Sequence, residues 1–127
     1  MLAAGTTMSD HRSMPYDESL AARIRELVAS EPGIAEKRMF GGLAFLVDGK
    51  LSVAASGSGG LMVRVAPEET DALLDRHQPY AEPFIMRDRP IDGWLRITAE
   101  GVRTRRQLEP WVSRSLAYAR SLPAAKS

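Results

Sequence analysis

The stretch Glu36–Leu51, EKRMFGGLAFLVDGKL, decides the fold. Its apolar residues are strand-forming types, and they lie on both sides of a Gly-Gly pair and before an Asp-Gly pair. Asp48-Gly49 predicts a β-hairpin, because a type I′ turn needs positive φ at both central residues. Gly41-Gly42 predicts a bulge, a sharp corner or the close approach of another backbone, since glycine has no Cβ. The stretch therefore predicts three strands, separated first by a corner and then by a tight turn.

Three helices are predicted around this stretch. Asp17 is the expected N-cap of the first helix, whose apolar residues recur at helical spacing until Pro32-Gly33 ends it. Ala66–Glu69 predicts the start of a second helix, since proline and acidic side chains both suit a first turn. Pro110 is unfavourable inside a helix, so the last helix is predicted to begin near Glu109, after a turn capped by Thr104.

The strands can be placed in the same way. Leu43–Val47 is entirely apolar, which predicts a central strand that is covered on both faces. Strands are predicted at residues 34–40, 43–47, 51–56, 61–65, 84–86 and 93–98. Together, these elements predict a two-layer α+β domain with an antiparallel β-sheet and flanking helices.

The length of 127 residues predicts a single domain with one core. We expect a flexible N-terminal extension over residues 1–14, the domain over 15–123 and a short tail over 124–127. There is no cysteine, which excludes disulfides, thiolate nucleophiles and cysteine-bearing zinc sites, and which is typical of a reducing compartment. No apolar run approaches the ~20 residues that a membrane span needs. We therefore expect a cytoplasmic protein that does not enter the membrane.

The formal net charge is only +1, which argues against a protein built to coat nucleic acid. Positive charge is nevertheless concentrated towards the C-terminus, where residues 87–127 hold nine Lys and Arg against four Asp and Glu. Such a region could meet phosphate or an acidic partner, although solvated helix faces produce the same asymmetry. The candidate nucleic-acid contacts are Arg103, Arg105 and Arg106.

No pattern of catalytic or metal-binding residues stands out. The Gly-Gly pair has neither the GxGxxG nor the GxxxxGK[ST] spacing of phosphate-binding loops. His11 and His77 are the only histidines, and neither has a partner at metal-site or triad spacing. The serines lack the GxSxG spacing of a nucleophile elbow. We therefore expect a protein that is not an enzyme and that holds no cofactor or metal.

Arginines within apolar sequence are the most informative polar residues. Arg64 interrupts an apolar strand, where an unpaired guanidinium would be costly to bury. One interpretation is an internal ion pair with Glu36 or Asp88, or a solvent-facing side of the sheet. The other is a site for a small anion or an acidic peptide, built from bidentate guanidinium contacts. The candidate residues of this anion site are Arg38, Arg64, Arg87 and Arg89.

The motif Arg38-Met39-Phe40-Gly41-Gly42, followed by a strand, is the most specific of several segments that recur in a known family. The others are Tyr16-Asp17-Glu18, Leu61–Val65, Gly93-Trp94 and Trp111–Pro123. In order and spacing, across residues 14–123, these segments resemble the N-terminal domain of the TfoX family, bacterial regulators of competence for DNA uptake.

The resemblance implies a compact α+β domain that regulates rather than catalyses. TfoX-like proteins act with transcription regulators at competence promoters, and neither a cofactor nor a catalytic residue goes with this domain. The first hypothesis is a non-enzymatic regulatory or interaction domain whose partner is a transcription regulator, and a homodimer is also compatible with the sequence. The alternative is a protein, either a simple binding protein or an enzyme, that binds a small molecule or an anion through Arg38 and Arg64. Direct DNA binding through the basic C-terminal third is the third hypothesis.

Overall fold

The computed structural model describes residues 17–39, 41–57 and 59–123 of the chain. The expected extension (1–14), the expected tail (124–127) and Phe40 of the family motif lie outside these residues. Within the described ranges, the chain forms one six-stranded antiparallel sheet and three α-helices. This confirms the predicted α+β class.

The strands and helices alternate irregularly along the chain. The strands are β1 (Ile34–Met39), β2 (Gly42–Val47), β3 (Lys50–Ala55), β4 (Leu61–Arg64), β5 (Ala81–Met86) and β6 (Arg89–Ile97). The helices are α1 (Glu18–Leu27), α2 (Thr70–Arg76) and α3 (Arg105–Ser121), with short 3-10 turns at Pro67–Glu69 and Ala99–Val102. The sheet order is β1-β2-β3-β4-β6-β5. The apolar strand β2, which we expected at the centre, is therefore second from an edge, and β3 and β4 are central.

The two glycine-containing breaks in the deciding stretch have different roles. Asp48 and Gly49 both have positive φ, as the predicted hairpin turn between β2 and β3 requires. Gly41 also has positive φ. A Cβ on Gly42 would overlap the carbonyl oxygen of Ala55, at the end of β3. The Gly-Gly pair is therefore a corner in close backbone contact with its neighbour strand, which only glycine permits.

Helix starts follow local capping. The carboxylate of Asp17 accepts a hydrogen bond from the Leu20 amide at 3.1 Å, which confirms the predicted N-cap of α1. The last helix begins at Arg105, not near Glu109 as expected. Thr104 and Gln107 form a capping box there, in which each side chain accepts from the backbone amide of the other.

Pro110 is tolerated inside α3 because of where it lies. Its ring forgoes one hydrogen bond, to the carbonyl of Arg106 four residues earlier. Both residues are exposed, so water can satisfy that carbonyl. The cost of this proline is therefore lower than we assumed.

The β5–β6 hairpin is longer than predicted. Its strand β5 begins at Ala81 rather than Phe84, and β6 begins at Arg89 rather than Gly93. Arg87 and Asp88 join them with φ of 54° and 66°. These residues adopt the left-handed conformation without glycine, so the turn chemistry gave no warning of a tight hairpin.

All three helices pack on one face of the sheet. Residues from each helix belong to a single core with alternate residues of the strands, including Phe45, Val63 and Leu95, each at most 1% exposed. Within this core, the Ser115 hydroxyl of α3 lies 2.9 Å from the Ser52 hydroxyl of β3. The two layers are thus joined by apolar packing and by buried polar contacts such as this one.

We call the other side of the sheet the outer face. Ala44, Ala54 and Met62 are buried there, and no residue of the three helices belongs to their cluster. Larger half-buried side chains pack against them: Met39, Leu46, Leu51, Phe84 and Trp94. The outer face is therefore apolar, although none of the described helices covers it.

Candidate functional site

Arg38 and Arg64 lie on opposite faces of the sheet. Cross-strand partners share a face. Arg38 is opposite Leu43, which belongs to the core with the helices, whereas Arg64 is opposite Trp94 on the outer face. The two guanidinium groups therefore do not converge, although the alternative hypothesis of an anion site built from Arg38 and Arg64 requires them to.

Arg87 and Arg89 lie elsewhere again. Both are exposed at the β5–β6 turn. Arg89 is five residues from Trp94 along β6, which corresponds to about 17 Å of extended strand. These arginines consequently form no common site with Arg64, and Asp88 between them is equally exposed.

The candidate nucleic-acid contacts also diverge. The Arg103 carbonyl accepts a hydrogen bond from the Arg23 guanidinium at 3.1 Å. Arg105 lines a small groove beside α1, together with Leu27. Arg106 lines a different cavity, on the other side of α3. The three side chains do not form one basic stripe of the kind that follows a nucleic-acid backbone.

The outer face groups aromatic, apolar and cationic side chains. The Arg64 guanidinium carbon lies 5.7 Å from the centroid of the Trp94 ring, which is cation–π geometry. The Phe84 ring lies 6.4 Å from Trp94 on the other side. Arg64 also donates to the Leu51 carbonyl, at 3.3 Å. Trp94 is thus held between a cation and an aromatic ring while remaining partly exposed.

A row of neighbouring side chains crosses the same face. In spatial order it contains Lys37, Ala44, Ala54, Met62, Arg96 and Glu82. Small apolar groups occupy the middle and charged groups the ends. Arg96 and Glu82 approach to 3.8 Å. They border a groove of about 250 Å³, which Met62, Phe84 and Ile85 also line. Ile85 is 52% exposed, so the groove has an apolar, accessible wall.

A second candidate lies on the helix side, and we call it the helix-side pocket. It is a cavity of about 510 Å³ between the end of α2 and the first turns of α3. Its principal lining residues are Arg76, His77, Tyr80, Arg106, Trp111 and Arg114. The rings of His77 and Trp111 are 4.7 Å apart and tilted by 60°. Burial, and then the charges of Arg76 and Arg114, lower the pKa of His77.

Only part of this geometry was visible in the sequence. Arg106 was a candidate for another reason, whereas Arg76, Arg114 and Trp111 were not singled out as site residues. They come from α2 and α3, which are separated by two strands, so no local spacing connects them. On the outer face, the continuous apolar run of β2 was the available signal, because it places apolar side chains on both faces of the strand.

Metal-binding and membrane-spanning features were sought as well. Across the described ranges, no three His, Asp or Glu side chains are grouped so that they could hold a metal ion. None of the helices in the described part of the chain is long and apolar enough to cross a membrane.

Comparison with known proteins decides the family. Residues 26–119, most of the chain, match the family model of the TfoX N-terminal domain. The chain belongs to the TfoX N-terminal domain family. Neither the curated proteins nor the solved structures gave a match. The family assignment therefore rests on the family model, in agreement with the segments that resemble TfoX.

The TfoX motif residues divide into two groups in the structure. Gly41, Gly42 and Gly93 are backbone requirements: the first two form the corner, and Gly93 has a φ of 89°, which favours glycine. Met39 and Trp94 instead place side chains on the outer face. The motif of this TfoX domain thus specifies both the sheet and part of that face.

Proposed function

We propose that this TfoX N-terminal domain is a non-enzymatic interaction domain that binds a transcription regulator through its outer face. The observation that carries the proposal is the partly exposed Trp94 between Arg64 and Phe84, on an apolar face that none of the described helices covers. The regulatory role is what the family implies, and the cytoplasmic location is the expectation from the absence of cysteine. Competence genes are the first regulatory target to examine.

The chemistry of the outer face suggests the kind of segment it binds. Aromatic side chains and arginine are enriched at the centres of protein interfaces. None of the described carboxylates forms an ion pair with Arg64, which contacts the Leu51 carbonyl oxygen and the Trp94 ring. A partner segment with apolar side chains and an acidic group would pack against Trp94 and pair with this guanidinium. An acidic, apolar segment is therefore the expected ligand of the outer face.

Neither of the other hypotheses gains comparable support. The anion site required Arg38 and Arg64 to converge, and they lie on opposite faces. Direct DNA binding required a continuous basic surface, and Arg105 and Arg106 line separate cavities. A protein partner is thus the hypothesis that the geometry favours.

The proposal can be tested by gene expression in the native host. We expect deletion of the gene to change a defined set of transcripts, and the wild-type gene to restore them. Trp94→Ala and Arg64→Glu should fail to restore them, because both remove central contacts of the outer face. Ala117→Ser, on the exposed side of α3, is the matched control and should restore them fully.

Two results would contradict the proposal. One is an unchanged transcript profile in the deletion strain. The other is full restoration by folded Trp94→Ala and Arg64→Glu proteins, whose folding is checked by thermal unfolding and by protein level in the cell.

A further inference from the structure

The helix-side pocket is cationic. Three of its lining residues are arginines, Arg76, Arg106 and Arg114, and none of the described residues that line it is acidic. Glu69, which does not line the pocket, pairs with Arg114 at 3.1 Å. That pair is exposed on both sides, so it contributes little and Arg114 can exchange it for a ligand. The charges of this pocket therefore suit an anion.

The same cavity also has ring surfaces. Trp111 is only 6% exposed and forms part of the wall, and the His77 ring packs against it. Tyr80 is 39% exposed at the same cavity, which is an unusually open position for a large aromatic side chain. Burial and the two neighbouring arginines lower the pKa of His77, so its imidazole remains a neutral ring more readily. Planar surfaces and guanidinium groups thus meet in one space.

The size of the cavity limits the ligand. At about 510 Å³, it falls within the usual range for small-molecule sites, which is roughly 300–1,000 Å³. A free phosphate ion would occupy only a small part of it. Arginine forks match the geometry of phosphate oxygens, and aromatic side chains match a planar base.

We propose that the helix-side pocket binds a nucleoside phosphate. The phosphate lies between the Arg76 and Arg106 guanidinium groups, and Arg114 joins them on leaving Glu69. The base packs against the Tyr80 and His77 rings. This ligand goes beyond partner binding at the outer face and shares no residue with it, so either proposal can fail while the other stands.

Trp111 offers a direct readout. The chain has two tryptophans, and a Trp94→Phe variant leaves Trp111 as the only one. The full chain is titrated with a panel of nucleoside 5′-monophosphates, and with adenosine, ribose 5-phosphate and inorganic phosphate. We expect a saturable change in Trp111 fluorescence with a monophosphate, binding at least tenfold weaker for ribose 5-phosphate and phosphate, and no change with adenosine. Calorimetry of the wild-type protein checks the affinities.

Two neighbouring arginines on α3 provide a matched pair of variants. Arg106→Gln removes a pocket guanidinium, whereas Arg105→Gln removes one that lines the groove beside α1. Both residues are exposed, so both variants should fold. We expect Arg106→Gln to bind the nucleoside phosphate more weakly by roughly tenfold or more, because one charge-assisted contact to phosphate is lost. We expect less than a twofold change in Arg105→Gln.

Three outcomes would overturn the inference. The first is no saturable signal with any nucleoside phosphate at millimolar concentration. The second is binding of ribose 5-phosphate as tight as that of a nucleoside monophosphate, which would show that the base does not pack against the Tyr80 and His77 rings. The third is tighter binding of a single-stranded oligonucleotide, lost equally in both arginine variants, which would indicate a nucleic-acid surface instead of a pocket.

Discussion

The two faces of the sheet are built from the same strands but differ in what covers them. In β4, Leu61 and Val63 point into the core beneath the helices, whereas Met62 and Arg64 point to the outer face. The three helices cover the core face and pack closely against it. The outer face carries Trp94, Phe84 and Arg64, which remain partly exposed. Apolar alternation thus serves stability on one face and, we propose, recognition on the other.

The comparison also shows how a small domain can keep the two tasks apart. Substitution on the core face should change the free energy of unfolding, while substitution on the outer face should change mainly binding.

Adjacent residues of β2 give the strongest contrast. Phe45 is 1% exposed under the helices, and Leu46 is half-buried on the outer face. We expect Phe45→Ala to lower the free energy of unfolding by about 3–5 kcal/mol, because it leaves a cavity in the core. Leu46→Ala should cost about 1 kcal/mol, because part of its surface already meets water. Urea unfolding measures both, and equal losses would mean that the outer face is a second core.

The faces keep their identity only if β2 keeps its register, because a shift of one residue would exchange them. The Gly41-Gly42 corner is placed to hold that register. Gly42→Ala should cost about 3 kcal/mol, since its Cβ would overlap the Ala55 carbonyl. Gly41→Ala meets no nearby atom and should cost about 1 kcal/mol for its positive φ. If the corner were not in contact with β3, thermal unfolding would show Gly41→Ala to be the more destabilised of the two variants.

The buried hydroxyl pair tests the join between α3 and the core face. Ser115 donates to the Ser52 carbonyl at 2.7 Å, and the two hydroxyls are 2.9 Å apart. Ser115→Ala should destabilise the protein by about 2 kcal/mol, because it leaves buried polar groups of Ser52 without this partner. The double variant Ser52→Ala/Ser115→Ala should lose less than the sum of the single variants. Additive losses would show that the hydroxyls do not interact.

The smallest effect should come from pH at the helix-side pocket. Burial and the charges of Arg76 and Arg114 lower the pKa of His77 below its ordinary 6.5. The unfolded chain therefore takes up this proton at a higher pH than the folded protein, so stability falls as pH drops through 6.5. The contribution is small because the imidazole is only partly buried. Between about pH 7.5 and about pH 5, the midpoint temperature of thermal unfolding should fall less steeply in His77→Gln than in the wild-type protein. The same slope in both proteins would contradict this assignment.

Much of the fold could be predicted because its determinants are local. The carboxylate of Asp17 and the Asp48-Gly49 turn act within a few residues of themselves, and both predictions are confirmed. Thr104 was predicted as a cap, but regular helix was expected only from near Glu109, because Pro110 was given too much weight. The β5–β6 turn was missed because Arg87-Asp88 is not one of the Asn-Gly or Asp-Gly pairs that mark a two-residue hairpin.

The sites were less predictable because they depend on distant segments. Arg64 was singled out for its apolar neighbours, but its contact with Trp94 depends on the pairing of β4 with β6. Arg38 was expected to join Arg64 in one site, yet the register of β1 with β2 places Arg38 on the opposite face. The helix-side pocket combines α2 with α3, so its three arginines meet only after the core has formed.

The most direct test of the outer face uses the absence of cysteine. Ile85→Cys places one reactive thiol at the outer groove, and Ala117→Cys places one on exposed α3. Each variant carries a cleavable photo-crosslinker in extract of the native host, and captured proteins are identified by mass spectrometry. We expect the Ile85 probe to capture a transcription regulator, the Ala117 probe not to, and Trp94→Ala to reduce capture at least tenfold. Equal capture from both positions, or undiminished capture in Trp94→Ala, would contradict a binding role for the outer face.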